Sequence, residues 1–188
     1  IVHGAGHQFG VDLIVFGNCF FVDTAYPTGQ ISSTASLYSV GAGRIEISEN
    51  GVDFYEVPNV LADGLFPTQG YNDVGPQDGL PGQSPTDFFK PVNPALTLSD
   101  FNGLTYQQAL DVYDGSGGGT PVDLADAVDD AGLPAGLTQA YYVRISHVGE
   151  GATEIDAFVA VPEPSAGLML TISACALALA GRTSRRGG

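Results

Sequence analysis

An all-β domain is the fold class this sequence predicts: a sandwich with one or two short helices, followed by a single C-terminal membrane helix. Three observations lead there. Compact or alternating apolar runs of strand length stand near both ends of the body. The 188 residues include 26 glycines and 12 prolines, which favour turns and short strands over long helices. Finally, sixteen residues without a charge, Ala166 to Gly181, run directly into arginines.

Taken in order, Val11-Asp12-Leu13-Ile14-Val15-Phe16 is a compact apolar run after glycines, suited to a buried strand. Arg44-Ile45-Glu46-Ile47 and Val52-Asp53-Phe54-Tyr55-Glu56-Val57 alternate polar with apolar on either side of Asn50-Gly51. An Asn-Gly pair so placed signals a hairpin, because both residues tolerate positive φ. The stretch from Leu61 to Leu98 is rich in Pro, Gly, Asp and Asn. It is too long for a simple connection and reads as either a functional surface loop or a mobile one. Thr120-Pro121-Val122 opens with a cap-like Thr and a Pro suited to a first helical turn, and Val122, Ala125 and Val128 follow at helical spacing. A short helix is expected there. Tyr141 to Val148 and Glu154 to Val161 read as another strand pair, with Val143 and Ile145 on one face and Arg144 on the other. Strands at both ends with long loops between them suit an antiparallel sandwich whose terminal strands pair or lie close.

The domain division is therefore residues 1–160 for the sandwich and 161–188 for a terminal segment. With Ile1 in first place, the chain reads as a mature form or a fragment. As a helix, residues 166–181 would span about 24 Å. That falls slightly short of the ~30 Å hydrocarbon core, so the flanks decide the reading. Pro164 suits a helix start, and Arg182, Arg185 and Arg186 match the positive charge found on the cytoplasmic side of membrane spans. Val161-Pro162-Glu163-Pro164-Ser165, an apolar helix and terminal arginines, in that order, resemble the PEP-CTERM sorting signal of Gram-negative bacteria. That resemblance implies an exported protein held transiently in the inner membrane. It also implies processing near Pro-Glu-Pro by an exosortase and release to the envelope surface or extracellular matrix. An ordinary single-span anchor is the alternative.

"RIEISENGVDFYEV" and "YYVRISHV…EIDAFVAV" resemble parts of discoidin-type, galactose-binding-like jelly rolls. There a strand–turn–strand carries a Ser-x-Asn/Asp-Gly turn, and an arginine-bearing strand precedes the last one. The resemblance implies a jelly-roll-like sandwich and leaves function open.

Charge narrows the function classes. The formal net charge is −15, and residues 1–161 hold only Arg44, Lys90 and Arg144 against all but one of the 21 acids. Such a surface repels phosphate backbones, so nucleic acid is not an expected partner. Cys19 reads as a small buried side chain; Cys175 lies in the apolar run, and the two support neither a disulfide framework nor a thiolate metal site.

Candidate chemistry centres on Leu110 to Asp130. Its glycine-rich loop lacks the Lys-Ser/Thr of a phosphate loop, and its acids would repel phosphate. Asp111, Asp114, Asp123 and Asp126, with loop carbonyls, supply oxygen ligands of the kind calcium needs, at a spacing unlike an EF-hand. The competing reading is a turn and a helix cap. His3 and His7 are four apart, but Gly4 and Gly6 disfavour the helix that would let both hold zinc. Ser116 lacks the first glycine of a nucleophile elbow, and His147 is mid-strand. No catalytic residues are assigned. The expectation is a non-enzymatic matrix or adhesive protein, with a calcium-dependent carbohydrate-binding module as the alternative. Tyr71, Phe88, Phe89 and Tyr106 are candidates to stack on extracellular polysaccharide, or else to fill the core.

Overall fold

Strand β1, Leu13–Gly17, is buried on both faces, which is why it reads as an unbroken apolar run. Leu13 and Val15 enter the main core, while Ile14 and Phe16 join Val11 and Val161 on the other side. The computed structural model describes residues 1–4, 6–38, 41–73, 82–149 and 151–163. β2 (Phe20–Phe21) and β3 (Leu37–Tyr38) form a small separate pair. β4 (Ala42–Ser48) and β5 (Tyr55–Ala62) follow, then helix α1 (Tyr106–Val112), β6 (Thr120–Val122), β7 (Tyr142–Val148) and β8 (Ile155–Ala160).

The architecture is sandwich-like and mostly β. One antiparallel sheet runs β6-β1-β8 and the other β5-β4-β7. Leu13, Val15 and Val122 from the first meet Ile45, Ile47, Val57 and Ala62 from the second in one apolar cluster. Alternation places Ile45 and Ile47 inward and leaves Arg44 and Glu46 outward. Opposite Glu46, Arg144 of β7 donates from Nε at 2.8 Å and lies over the Phe54 ring, 4.0 Å from its centroid. That fork-shaped pairing holds the Glu46 carboxyl below its usual range, against a smaller opposing effect of burial.

Several expectations hold. β4 and β5 pair as a hairpin; at its turn Asn50 Oδ1 accepts from the Val52 and Asp53 amides, and Gly51 has φ +75°. The terminal strands do meet, with Leu13 opposite Ala160 and Val15 opposite Phe158. Val143 and Ile145 pack toward the core and Arg144 faces away.

Two expectations are corrected. The runs 141–148 and 154–161 are strands but not partners, since β7 pairs with β4 and β8 with β1. The short connection between them crosses from one sheet to the other, where Thr153 Oγ1 donates to the Ala42 carbonyl. Residues 120–122 are strand rather than helix, and only Leu124–Asp126 makes a single 3₁₀ turn. Val122 and Leu124 both reach the core by period-two alternation, and β6 is an edge strand, where Pro121 is tolerated. The helix lies earlier, at α1. There Thr105 Oγ1 accepts from the Gln108 amide and Gln108 Oε1 accepts from the Thr105 amide, a reciprocal cap.

A second apolar cluster packs α1 against the long loops, through Phe21, Phe66, Phe101, Tyr106, Leu110 and Tyr113. Phe66 and Tyr113 meet edge to face at 5.9 Å. Within Leu61–Leu98, β5 extends through Ala62, and the described remainder carries isolated bridges, Tyr71 to Pro85 and Asp87 to Ser116, before a 3₁₀ turn opens at Leu98. No helix among the described residues is long and apolar enough to cross a membrane. The expected span at 166–181, Cys175, Pro164, Ser165 and the arginines lie outside them.

Gly119 shows how closely loop and sheet approach. Its φ is +82°, and a Cβ there would stand 2.6 Å from Ile14 Cγ2 and 2.9 Å from the Phe16 ring. Gly119→Ala is expected to destabilise by about 2–4 kcal/mol, combining backbone strain with core displacement. Gly103→Ala, with φ +69° and open space around it, should cost only about 1 kcal/mol. Urea melts of the two variants check this; equal losses would contradict it.

Candidate functional site

The first strand begins with a carboxylate that water does not reach. Asp12 is 0% exposed, and a buried carboxylate must be matched by donors. Four converge on it. Oδ1 accepts from the Gly4 amide at 3.0 Å and from His7 Nδ1 at 2.7 Å. Oδ2 accepts from the Leu124 amide at 2.9 Å and lies 3.0 Å from His3 Nδ1. Its backbone is tied as well, with Asp12 N donating to Val122 O and Val161 N donating to Asp12 O, each at 2.9 Å. One residue thus joins the N-terminal loop, β1, the β6–3₁₀ corner and the segment after β8.

Around this centre stand Asp123 and Glu163. Asp123 caps the 3₁₀ turn, Oδ1 accepting from the Ala125 amide at 2.7 Å, and the same oxygen lies 3.5 Å from His3 Nδ1. Glu163 Oε1 lies 3.3 Å from His7 Nε2, a buried atom that makes no hydrogen bond. Electrostatics follow the geometry. Burial alone would raise the Asp12 carboxyl, but hydrogen bonds from His3, Leu124, Gly4 and His7 outweigh it and hold the group below the usual carboxylate range. The hydrogen bond to Asp12 raises His3, against burial and with help from the charges of Asp12, Asp123 and Glu163. Asp123 moves upward, chiefly through burial and then through its acidic neighbours Asp12 and Asp126.

The sequence-predicted ligands fall elsewhere. Asp111 lies in the last turn of α1, and Asp114 pairs with Lys90 Nζ at 2.7 Å. Asp126 is exposed on the 3₁₀ turn. Asp111, Asp114, Asp123 and Asp126 do not converge; among the described residues the close His/Asp grouping is His3, Asp12 and Asp123, which includes only Asp123 of the four. The glycine-rich loop serves close approach: a Cβ on Gly118 would collide with the Pro67 carbonyl. Ser116 is fully buried, and its Oγ donates to the Lys90 carbonyl at 2.6 Å, fastening the turn. His147 lies near Thr153 Oγ1 and the Gly149 carbonyl, at 3.0 and 3.1 Å. Burial pushes the Cys19 thiol up to about 12, and its Sγ contacts the Gly64 carbonyl.

The loop aromatics divide. Tyr106 and Tyr71 line a cleft of about 370 Å³ with Asn18, Phe20, Gln69 and Asp156. Tyr71 is exposed, whereas Tyr106 is buried with its hydroxyl donating to Gln69 Oε1. Phe20 is exposed and stacks on Tyr38, ring centroids 5.0 Å apart. Phe88 packs edge-on against Phe16 at 5.3 Å, and Phe89 is exposed. Of the residues that resemble a sorting motif, Val161 is buried, while Pro162 and Glu163 are exposed.

Sequence reasoning passed over Asp12 because it took Val11–Phe16 as one apolar run. The usable signal was the charge itself. An acid inside a buried strand demands partners, and His3 and His7 are the only histidines before His147. No protein-family description, curated protein or solved structure matches this chain.

The cluster's structural weight is measurable. Asp12→Asn removes the buried charge that four donors face, and a loss of about 3–5 kcal/mol is expected in chemical denaturation. Asp130→Asn, at an exposed position, should stay within about 0.5 kcal/mol. Comparable losses in both variants would contradict the assignment.

Proposed function

We propose that this chain is an exported, non-enzymatic protein of structural or adhesive type. A C-terminal helix at 166–181, stopped by Arg182, Arg185 and Arg186, holds it transiently in the inner membrane. An exosortase-type enzyme then cuts near Val161-Pro162-Glu163-Pro164-Ser165, and the body is displayed at the envelope surface or in the extracellular matrix. The observation that carries this reading is the change in burial at the start of the motif. Val161 N donates to Asp12 O at 2.9 Å and its side chain is buried, but the next two residues are exposed. A cut beyond Pro162 would therefore leave β8 and its anchor intact. The acidic body suits the outward face of such an arrangement.

Mass spectrometry on protein recovered from its native envelope tests this. The expected C-terminus lies within or just after residues 161–165. An intact 166–186 segment on surface-exposed protein would contradict processing and favour a permanent anchor.

A second reading is favoured by the cleft. Within the proposed jelly-roll class of sandwich, an exposed Tyr71 and a Phe20–Tyr38 stack beside Asn18, Gln69 and Asp156 offer sugar faces a platform and sugar hydroxyls polar partners. Calcium dependence would need ligands other than the four predicted acids taken together. Glycan arrays, run with and without calcium, should show binding that Tyr71→Ala reduces at least ~10-fold. No binding in either condition would remove this reading.

A further inference from the structure

We propose that His3, Asp12 and Asp123 form a binding site for a divalent first-row transition ion, with zinc as the probe. Their ligand atoms all lie within 4.8 Å of one another, and His3 Nδ1 stands 3.0 Å from Asp12 Oδ2 and 3.5 Å from Asp123 Oδ1. Ligands held tetrahedrally at ~2.0–2.1 Å are separated by about 3.3 Å. Small side-chain adjustments therefore suffice to admit an ion. One imidazole nitrogen with two carboxylate oxygens suits zinc, manganese or iron better than calcium, which takes six to eight oxygens.

The supporting atoms are already in place. Asp12 is held by the Gly4 and Leu124 amides and by His7 Nδ1, and Asp123 by the Ala125 amide. Gly10 leaves room for the second ligand, since a Cβ there would stand 2.6 Å from Asp123 Oδ2. His3 and Asp123 side chains are 32% and 23% exposed, which gives an entry path and a water-accessible remaining position.

Two features of the surroundings favour a cation at this site. First, every described lysine and arginine is engaged elsewhere: Arg44 with Glu56, Lys90 with Asp114 and Arg144 with Glu46. Asp12, Asp123 and Glu163 have only His3 and His7 to balance them among the described residues. Second, the His7 side chain is 1% exposed and its Nε2 makes no hydrogen bond. That atom lies 3.3 Å from Glu163 Oε1, so a third carboxylate borders the imidazole that supports Asp12. A metal ion at Asp12 lowers the negative charge of this whole assembly. The ion takes the place of the His3 Nδ1 proton, which leaves to solvent, so binding releases up to one proton.

The test uses the full chain without a histidine tag, stripped with chelator and titrated with zinc chloride in two buffers of different ionisation enthalpy. One ion should bind with proton release, and the melting temperature should rise by about 5 °C or more at a hundredfold excess over Kd. Cobalt(II) should show the visible absorption of a low-coordinate nitrogen–oxygen site. His3→Gln and Asp123→Asn, both at partly exposed positions, should each weaken binding at least ~10-fold while circular dichroism shows them folded. His147→Ala should bind as the parent does. Absence of saturable binding would overturn the proposal and leave a protonated His3 as the balancing cation. So would zinc affinity that both variants retain, or a thermal shift with calcium but not with zinc.

Discussion

The N-terminal loop, the β6 corner and the residue after β8 meet at one buried residue, Asp12, whose carboxylate water does not reach. Asp12 sits at the mouth of β1, and its side chain and backbone together bind the loop before it, the β6 corner and the residue that follows β8. A charge in that position is costly unless fully matched. Once matched, it makes distant pieces of chain depend on one another. Gly4 and Leu124 are far apart in sequence, yet each loses a partner if the Asp12 carboxylate leaves. The sandwich core supplies non-directional cohesion. The carboxylate supplies the directional part, fixing which loop meets which strand end.

That arrangement reaches the last of the described residues. Val161 N donates to the main-chain oxygen of Asp12, the residue that fixes the beginning of β1. Beyond Val161, Pro162 and Glu163 turn to solvent, with Glu163 reaching only the rim of the histidine pair. The pairing of β1 with β8 is complete before Pro162, with Leu13 opposite Ala160. The scarcity of basic residues has a second consequence. With Arg44, Lys90 and Arg144 paired to Glu56, Asp114 and Glu46, the partners of the carboxylates around Asp12 among the described residues are histidines and backbone amides.

Legibility in the sequence followed the range of the interactions. Local periodicity was enough for β1, for the β4–β5 hairpin and its Asn50-Gly51 turn, and for the inward faces of Val143 and Ile145. Pairing is a long-range property, and there local signals failed. The runs 141–148 and 154–161 look like a hairpin, but each finds its partner about a hundred or more residues upstream. At Thr120-Pro121 a helix-start signal lost to tertiary demand, because both Val122 and Leu124 are needed in the core. The capping box of Thr105 and Gln108 was present and unused. The four predicted calcium acids were near in sequence but point to different tasks. The true cluster required bringing together residues 3, 7, 12, 123 and 163, and only the chemical oddity of Asp12 in an apolar run announced it.

Native-state amide hydrogen exchange tests the central claim most directly. If Asp12 makes the chain ends and the β6 corner one cooperative unit, the amides of Gly4, Leu124 and Val161 should exchange only through global unfolding. Their opening free energies should then equal those of Val15 and Ile45 in the core. Exchange of Gly4 and Leu124 through local opening, several kcal/mol below the core amides, would contradict it.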